Sequence, residues 1–193
     1  MVNLTNKYQF YIASILIFLL VITREYHLAA WHSLPGATWA VFFIAGVYLK
    51  PKWILPLLLL LTWALDFSAF KWGSASDFCL SPAYAYLIPA YSSLWLAGYW
   101  YSKRYHFSLR TIPALLASIF IGALLWELIS SGSFYVLSGY FSQPNLTEFF
   151  ARELIYFPAY LFSLYFYTSV AALVHALFKF SNVSFEKDTP HSQ

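Results

Sequence analysis

Long apolar stretches separated by short polar segments dominate this chain of 193 residues. A stretch of about 20 mostly apolar residues can cross the hydrocarbon core of a bilayer as a helix. Charged residues make up 10% of the sequence, against roughly 25% in soluble domains. A soluble domain of this size could not cover its surface with so few polar groups. The sequence therefore predicts an all-α, polytopic membrane protein whose main partner is lipid.

We predict six transmembrane helices in a single domain formed by residues 1–180. Their expected limits, to within about 2–4 residues, are Tyr8–Ile22, Gly36–Leu49, Trp53–Phe70, Pro82–Tyr101, Ile112–Ile129 and Phe149–Phe178. The second stretch is short, and the sixth is long enough to tilt. Residues 181–193 are polar and are predicted to form a disordered tail.

The placement of basic residues supports this count, because cytoplasmic loops are enriched in Lys and Arg. With six spans and both termini in the cytoplasm, eight of the 11 basic residues lie inside. They are Lys7, Lys50, Lys52, Lys103, Arg104, Arg110, Lys179 and Lys187. Only Arg24, Lys71 and Arg152 lie outside. A cleaved signal peptide in place of the first span would move the basic loops to mismatched sides.

The acidic residues are distributed in the opposite way. In the same topology, the outer half contains Glu25, Asp66, Asp77, Glu127, Glu148 and Glu153. The polar chemistry is thus predicted to face outward, as in a protein that captures a molecule from outside the cell. The net charge of +3 and the absence of a basic tract give no indication of nucleic-acid binding.

Cys79 is the only cysteine of the chain. It lies in the polar segment Asp77–Tyr84, between the third and fourth apolar stretches. A thiolate there could bind a soft metal or attack an electrophile, whereas a structural role would be that of a small apolar filler. A structural zinc site is not indicated, because the sequence has no CxxC motif and no cluster of Cys and His.

Two acidic residues lie within or at the ends of apolar stretches. Asp66 lies near the end of the third and Glu127 near the end of the fifth. Ionisable groups in a span are costly and are therefore candidates for function. The alternative is that both are solvated at the outer interface, and we favour this alternative more for Glu127 than for Asp66.

Arg152 and Glu153 begin the sixth stretch. They could form an ion pair at the rim that contributes little stability. Alternatively, Arg152 could donate hydrogen bonds to an amide or phosphate of a ligand. His27 and His32 are weaker candidates for metal ligands, since their spacing on a loop is not diagnostic.

Three segments together resemble a known family. They are Leu34–Ala40, Trp63–Phe67 around Asp66, and Asp77–Tyr84 around Cys79. In these motifs, and in size and number of spans, the chain is similar to the BtuM-type cobalamin transporters. Members of that family are solitary substrate-binding S-components of the energy-coupling-factor type.

The resemblance implies the S-component fold and the uptake of cobalamin across the inner membrane of a bacterium, with an outward-facing site. It implies that Cys79 ligates the cobalt of cobalamin in the base-off state and assists removal of the cyano ligand of cyanocobalamin. It also implies that Asp66, Tyr84 and Arg152 contact the bound cobalamin. The first span lacks the small residues with which other S-components dock on a shared partner, so no obligate coupling module is expected.

Two other functions stay open at this point. One is an S-component-like transporter for a different vitamin, in which Cys79 has no special role. The other is a structural membrane subunit without a catalytic role, whose outer charges contact a protein partner. These three hypotheses differ in whether a small molecule binds and in whether its binding needs the thiol.

Overall fold

The computed structural model describes residues 5–24, 36–71, 81–141 and 144–187, with side chains as far as Lys179. Every regular element in these ranges is helical. The α-helices are α1 (Asn6–Thr23), α2 (Thr38–Tyr48), α3 (Ile54–Lys71), α4 (Leu87–Arg104), α5 (Ile112–Leu137) and α6 (Leu146–Lys187). Short 3₁₀ helices, Pro82–Tyr86 and Leu109–Thr111, precede α4 and α5.

Four of these helices are long and apolar enough to cross a membrane: α1, α3, α5 with its 3₁₀ turn, and α6. In contrast, α2 has 11 residues, which extend about 16 Å, against a hydrocarbon core of about 30 Å. Helix α4 has 18 residues, but its serine, tyrosine and C-terminal basic residues make it less apolar. The protein is therefore membrane-embedded and helical, with four helices that can span by length and composition.

Helix α2 lies at the centre of the bundle and contacts each of the other five α-helices. Residues Trp39–Gly46 are all buried, so it is apolar on every side, as expected for a helix surrounded by others. Leu16 and Leu20 of α1, Leu94 of α4 and Leu164 of α6 join it in the core. This short helix therefore forms the core instead of facing lipid.

Glycines allow α2 and α4 to come into backbone contact. A Cβ atom at Gly46 would overlap the carbonyl oxygen of Trp95, and one at Gly98 would overlap the carbonyl oxygen of Phe43. The two glycines thus face each other's helix at the same crossing. Such close approach through small residues is a common way to pack helices in membranes.

Ser118 and Gly122 of α5 form a small-xxx-small motif that faces α4. The Ser118 hydroxyl donates to the carbonyl oxygen of Ala97 at 2.7 Å. A Cβ atom at Gly122 would approach the Ala97 side chain to 2.8 Å. These contacts hold α5 against α4.

Two helices extend beyond their predicted ends. Helix α5 continues to Leu137, because the serines after Ile129 bond locally: Ser131 to Glu127 and Ser133 to the carbonyl of Ser130. Helix α6 continues to Lys187, so residues 181–187 are helical although we predicted them to belong to a disordered tail. Propagation of an existing helix is inexpensive, and the next proline is Pro190.

Candidate functional site

An ion pair between Arg24 and Asp66 joins the ends of α1 and α3. The Arg24 Nε and Nη2 atoms donate to the two carboxylate oxygens of Asp66, each at 2.6 Å. The two side chains are 12% and 29% exposed. This fork geometry matches the planar guanidinium to the carboxylate. The pair is thus largely removed from solvent and geometrically well defined.

The end of α1 is tied to the start of α2 at the same place. The Thr23 hydroxyl donates to the carbonyl of Leu19 at 2.8 Å and accepts from the amide of Ala37 at 3.1 Å. Arg24 Nη1 is 3.4 Å from the hydroxyl of Thr38, the first residue of α2. Arg24 is therefore positioned by three helix ends, those of α1, α2 and α3.

Tyr84 completes the polar cluster of Arg24, Asp66, Thr38 and Tyr84, which we call the outer polar cluster. It lies on the 3₁₀ helix before α4, and its hydroxyl donates to Asp66 Oδ2 at 2.6 Å. Asp66 thus accepts three hydrogen bonds from residues that are distant in the sequence. Two of the predicted site residues, Asp66 and Tyr84, are brought together.

The electrostatics of the cluster are governed by burial and by the Asp66 charge. Burial lowers the pKa of the Arg24 guanidinium, but the opposing effects of Tyr91 and Asp66 are larger in sum, and the pKa lies above its ordinary value. Burial, and next the hydrogen bond to Asp66, raise the pKa of the Tyr84 hydroxyl above its ordinary range. Tyr84 is therefore a neutral donor and Arg24 a permanent cation at physiological pH.

A group of aromatic rings lies directly beside the outer polar cluster. Trp39, which follows Thr38, is 4.3 Å from Trp126 and stacks on Tyr160 at 5.3 Å between ring centroids. Tyr91 stacks on Phe42 at 4.4 Å and lies 5.6 Å from Trp126. This cluster links α2, α4, α5 and α6. The arrangement thus places fixed hydrogen-bonding groups beside a packed aromatic cluster, in which Trp39, Phe42 and Tyr91 are buried.

Arg152 does not belong to the outer polar cluster. It is exposed on the second turn of α6, and its guanidinium lies over the Phe141 ring at 4.9 Å from the centroid. The structure thus places it in a cation–π contact. Its predicted contact with a ligand stays a prediction.

Cys79 lies outside the described residues, as do His27 and His32. The predicted cobalt ligation by Cys79 therefore stays a prediction. Ser81, two residues after Cys79, begins the segment that carries Tyr84 to the Asp66 carboxylate. Across the residues that the structure describes, no group of three or more His, Cys, Asp or Glu side chains could hold a metal ion.

Glu127 is buried, in contrast to the interfacial position that we favoured from the sequence. It is 4% exposed, and its Oε1 accepts from the Ser131 hydroxyl at 2.7 Å. Glu127 lies near the predicted end of the fifth stretch, which suggested an interfacial position. Because α5 continues to Leu137, Glu127 instead lies within the helix.

Arg24 is the site residue that the sequence interpretation missed. The sequence interpretation places it only among the three basic residues on the outer side. Two features of the sequence indicate a role for Arg24. It directly follows an apolar stretch, and it lies on the outer side although basic residues are generally more frequent on the inner side. A single acid at the outer end of another span, Asp66, is a natural partner.

No family model matches this chain, and a search of curated proteins found no significant match.

Proposed function

We propose that this protein binds cobalamin and takes it up across the inner membrane of a bacterium. The observation that carries the proposal is the hydrogen bond between Asp66 and Tyr84. These residues come from the two separate motifs that carry the resemblance to BtuM-type transporters. They converge although 18 positions apart, and Cys79 lies between them in the sequence. This convergence supports the assignment of one site to both motifs.

The chemistry next to the cluster suits a corrin. A corrin is broad and apolar with peripheral amide arms, so it needs an aromatic surface bordered by donors and acceptors. Trp39, Trp126 and Tyr91 place aromatic rings beside the outer polar cluster. Trp39 and Tyr91 are buried in this structure, so a corrin would bind where these rings separate. The outer polar cluster provides hydrogen-bonding groups at its border, and Arg152 provides a further donor on α6.

In this proposal, the Cys79 thiolate ligates the cobalt of the bound substrate. Thiolates are strong donors to soft and borderline metals. Ligation displaces the dimethylbenzimidazole and leaves the base-off form. Electron donation by sulfur weakens the bond to the opposite cyano ligand, which leaves as cyanide with its electron pair. The thiol must lose its proton first, so the rate of decyanation rises with the thiolate fraction.

The proposed topology has six membrane-inserted helices, with both termini in the cytoplasm and the substrate site facing outward. The 8-to-3 distribution of the 11 basic residues supports it. Because α2 is enclosed by the other helices, it need not cross the bilayer in contact with lipid. The first helix lacks small-residue docking motifs, so we propose that uptake needs no obligate coupling module.

The proposal is tested by the visible absorption spectrum of the purified protein after incubation with cyanocobalamin. We expect the wild type to retain the corrin and shift it to a base-off, decyanated spectrum. Cys79→Ser should lose decyanation and most of the capture. Tyr84→Phe should weaken binding by roughly 10- to 150-fold, the equivalent of losing a hydrogen bond to a charged acceptor worth about 1.5–3 kcal/mol.

Tyr86→Phe is the matched control, since Tyr86 lies on the same 3₁₀ helix and is 46% exposed. It should bind and process cyanocobalamin as the wild type does. Unchanged decyanation in Cys79→Ser would refute the role of the thiol. A wild-type protein that retains no corrin would refute cobalamin as substrate, in favour of another vitamin or a structural subunit.

A further inference from the structure

A cavity of about 90 Å³ lies at the end of the bundle opposite to the outer polar cluster. It is enclosed by α2, α4, α5, α6 and the segment that follows α4. Most of its lining is apolar, with the side chains of Phe43, Val47, Leu115, Ala171, Ala172 and Ala176 among those that form the wall. The cavity is too small for a corrin, so it is not a second site for the proposed substrate.

The sequence of α6 explains why a gap exists at this place. Ala171, Ala172, His175 and Ala176 are spaced so that they share one face of the helix. Alanine is too short to fill the space that a leucine or phenylalanine would occupy at the same positions. The small side chains of α6 therefore leave room against the aromatic side chains of α2 and α4.

The cavity opens toward the apolar outer surface of the bundle. Two of its lining residues, Phe107 and Ala172, are exposed. Leu116 and Leu173, which directly follow lining residues of α5 and α6, are exposed as well. A continuous exposed apolar surface of this kind on a membrane-embedded protein faces lipid. A hydrocarbon chain can therefore reach the cavity without passing through water.

Polar and basic side chains lie at the rim of the cavity. The Tyr105 hydroxyl and His175 Nε2 are hydrogen-bonded at 2.9 Å. Lys179 follows His175 by one turn on the same face of α6. The last turn of α4 adds the exposed basic residues Lys103 and Arg104. Aromatic rings with polar tips and basic residues are typical of the level of the lipid headgroups, where cations attract the phosphate of anionic lipids.

We propose that this cavity holds part of one acyl chain of an anionic phospholipid from the inner leaflet. The chain lies against the alanines of α6, and the phosphate lies at the rim beside Lys179 and the Tyr105–His175 pair. A chain in this position supplies dispersion contacts that the lining atoms of an empty cavity would lack. The inner leaflet follows from the proposed topology, and the inference does not depend on cobalamin as substrate.

Native mass spectrometry of the purified full-length protein in detergent tests this proposal. The protein is incubated with equal amounts of phosphatidylglycerol and phosphatidylcholine that have the same acyl chains. We expect the wild type to retain one phosphatidylglycerol in preference to phosphatidylcholine. Retention of neither lipid, or of both equally, would overturn the proposal.

Two variants test the cavity and its rim separately. Ala172→Phe places a ring at the opening and should abolish retention, whereas Ala159→Phe, at an exposed position of α6 far from the cavity, should not. Lys179→Gln should lower retention of phosphatidylglycerol by about twofold to fivefold. Lys7→Gln, on α1, is the matched control and should have no effect, because α1 does not line the cavity. Equal retention by Ala172→Phe and Ala159→Phe would contradict binding in the cavity.

Photo-crosslinking provides a second measurement that needs no variant. Phosphatidylglycerol with a diazirine on one acyl chain is bound to the wild type, irradiated, and the labelled peptides are identified by mass spectrometry. We expect labels within residues 43–48 and 168–176, which excess unlabelled phosphatidylglycerol suppresses and phosphatidylcholine does not. Equal labelling of α1 and α3, which do not line the cavity, would indicate only lipid around the bundle and would overturn the proposal.

Discussion

Arg24 is the residue on which the geometry of the outer polar cluster depends. It is the cation that neutralises Asp66, and it is held by contacts with the ends of three helices. Removing two charges from water is costly, and their attraction offsets that cost only when the geometry is good. The two 2.6 Å contacts meet that condition. Loss of the guanidinium alone would therefore leave a carboxylate without compensation.

We expect Arg24→Met to destabilise the protein by about 2–3 kcal/mol. This is less than the 3–5 kcal/mol typical of fully buried pairs, because Asp66 is 29% exposed. The unfolding temperature in detergent should fall by roughly 4–12 °C. Arg24→Lys keeps the charge but loses the fork, so its loss should be smaller.

A double-mutant cycle with Asp66→Asn tests the reason for this loss. If the unpaired carboxylate is the cause, the double variant should be more stable than the sum of the two single losses predicts. Additive losses would contradict the pairing argument and would leave Arg24 as a residue that acts through packing alone.

The sequence predicted part of this site for identifiable reasons. Asp66 could be recognised because an ionisable residue within an apolar stretch is costly, and Tyr84 because it lies in a motif. The partnership of Arg24 with Asp66 joins positions 42 apart, and no local pattern encodes it.

At the scale of helices, α2 and α4 cross in backbone contact. Gly46 and Gly98 let the two backbones meet where any side chain would overlap a carbonyl oxygen. Backbone atoms cannot give way as a flexible side chain can, so neither position can accept a Cβ atom without separating the helices.

We expect Gly46→Ala and Gly98→Ala each to destabilise the protein by about 3 kcal/mol, the upper end of overpacking costs. Gly132→Ala is the control, because a Cβ atom at this α5 glycine has no neighbour within 4 Å. It should leave stability unchanged or raise it by up to about 1 kcal/mol. Thermal unfolding in detergent measures all three, and equal effects at the three positions would contradict the close crossing.

The positions of the helices in the sequence could be predicted more reliably than the neighbours that each helix contacts. All six apolar stretches contain a helix, since long apolar runs without strand alternation favour helices in a membrane. The central position of α2 could not be predicted, because a helix that is apolar on all sides gives no periodic signal of which neighbours it faces. Likewise, the polar serines after Ile129 led to a predicted end of α5 that precedes the observed end at Leu137.

At the scale of the whole molecule, the topology follows from how many helices cross the bilayer. Four can cross by length and composition, whereas the basic residues favour six with both termini inside. These alternatives differ in the side on which the segment between α2 and α3 lies. That segment contains Lys52, which is exposed.

Labelling of single cysteines distinguishes the two topologies. In a Cys79→Ser background, we expect Thr147→Cys, at the exposed start of α6, to react with an impermeant maleimide in intact cells. Lys52→Cys should react only after the membrane is permeabilised. Reaction of both positions in intact cells would contradict the six-helix topology.

The central position of α2 has a consequence for biosynthesis. The main neighbour of α2 is α4, followed by α1 and α6. Helices α4 and α6 begin at Leu87 and Leu146, whereas α2 ends at Tyr48. About 100 residues separate the end of α2 from the start of α6, which at roughly 5–20 residues per second take about 5–20 s to translate. During that interval an 11-residue helix, shorter than the hydrocarbon core is thick, lacks part of its enclosure. Its packing is completed only when the last helix has been made.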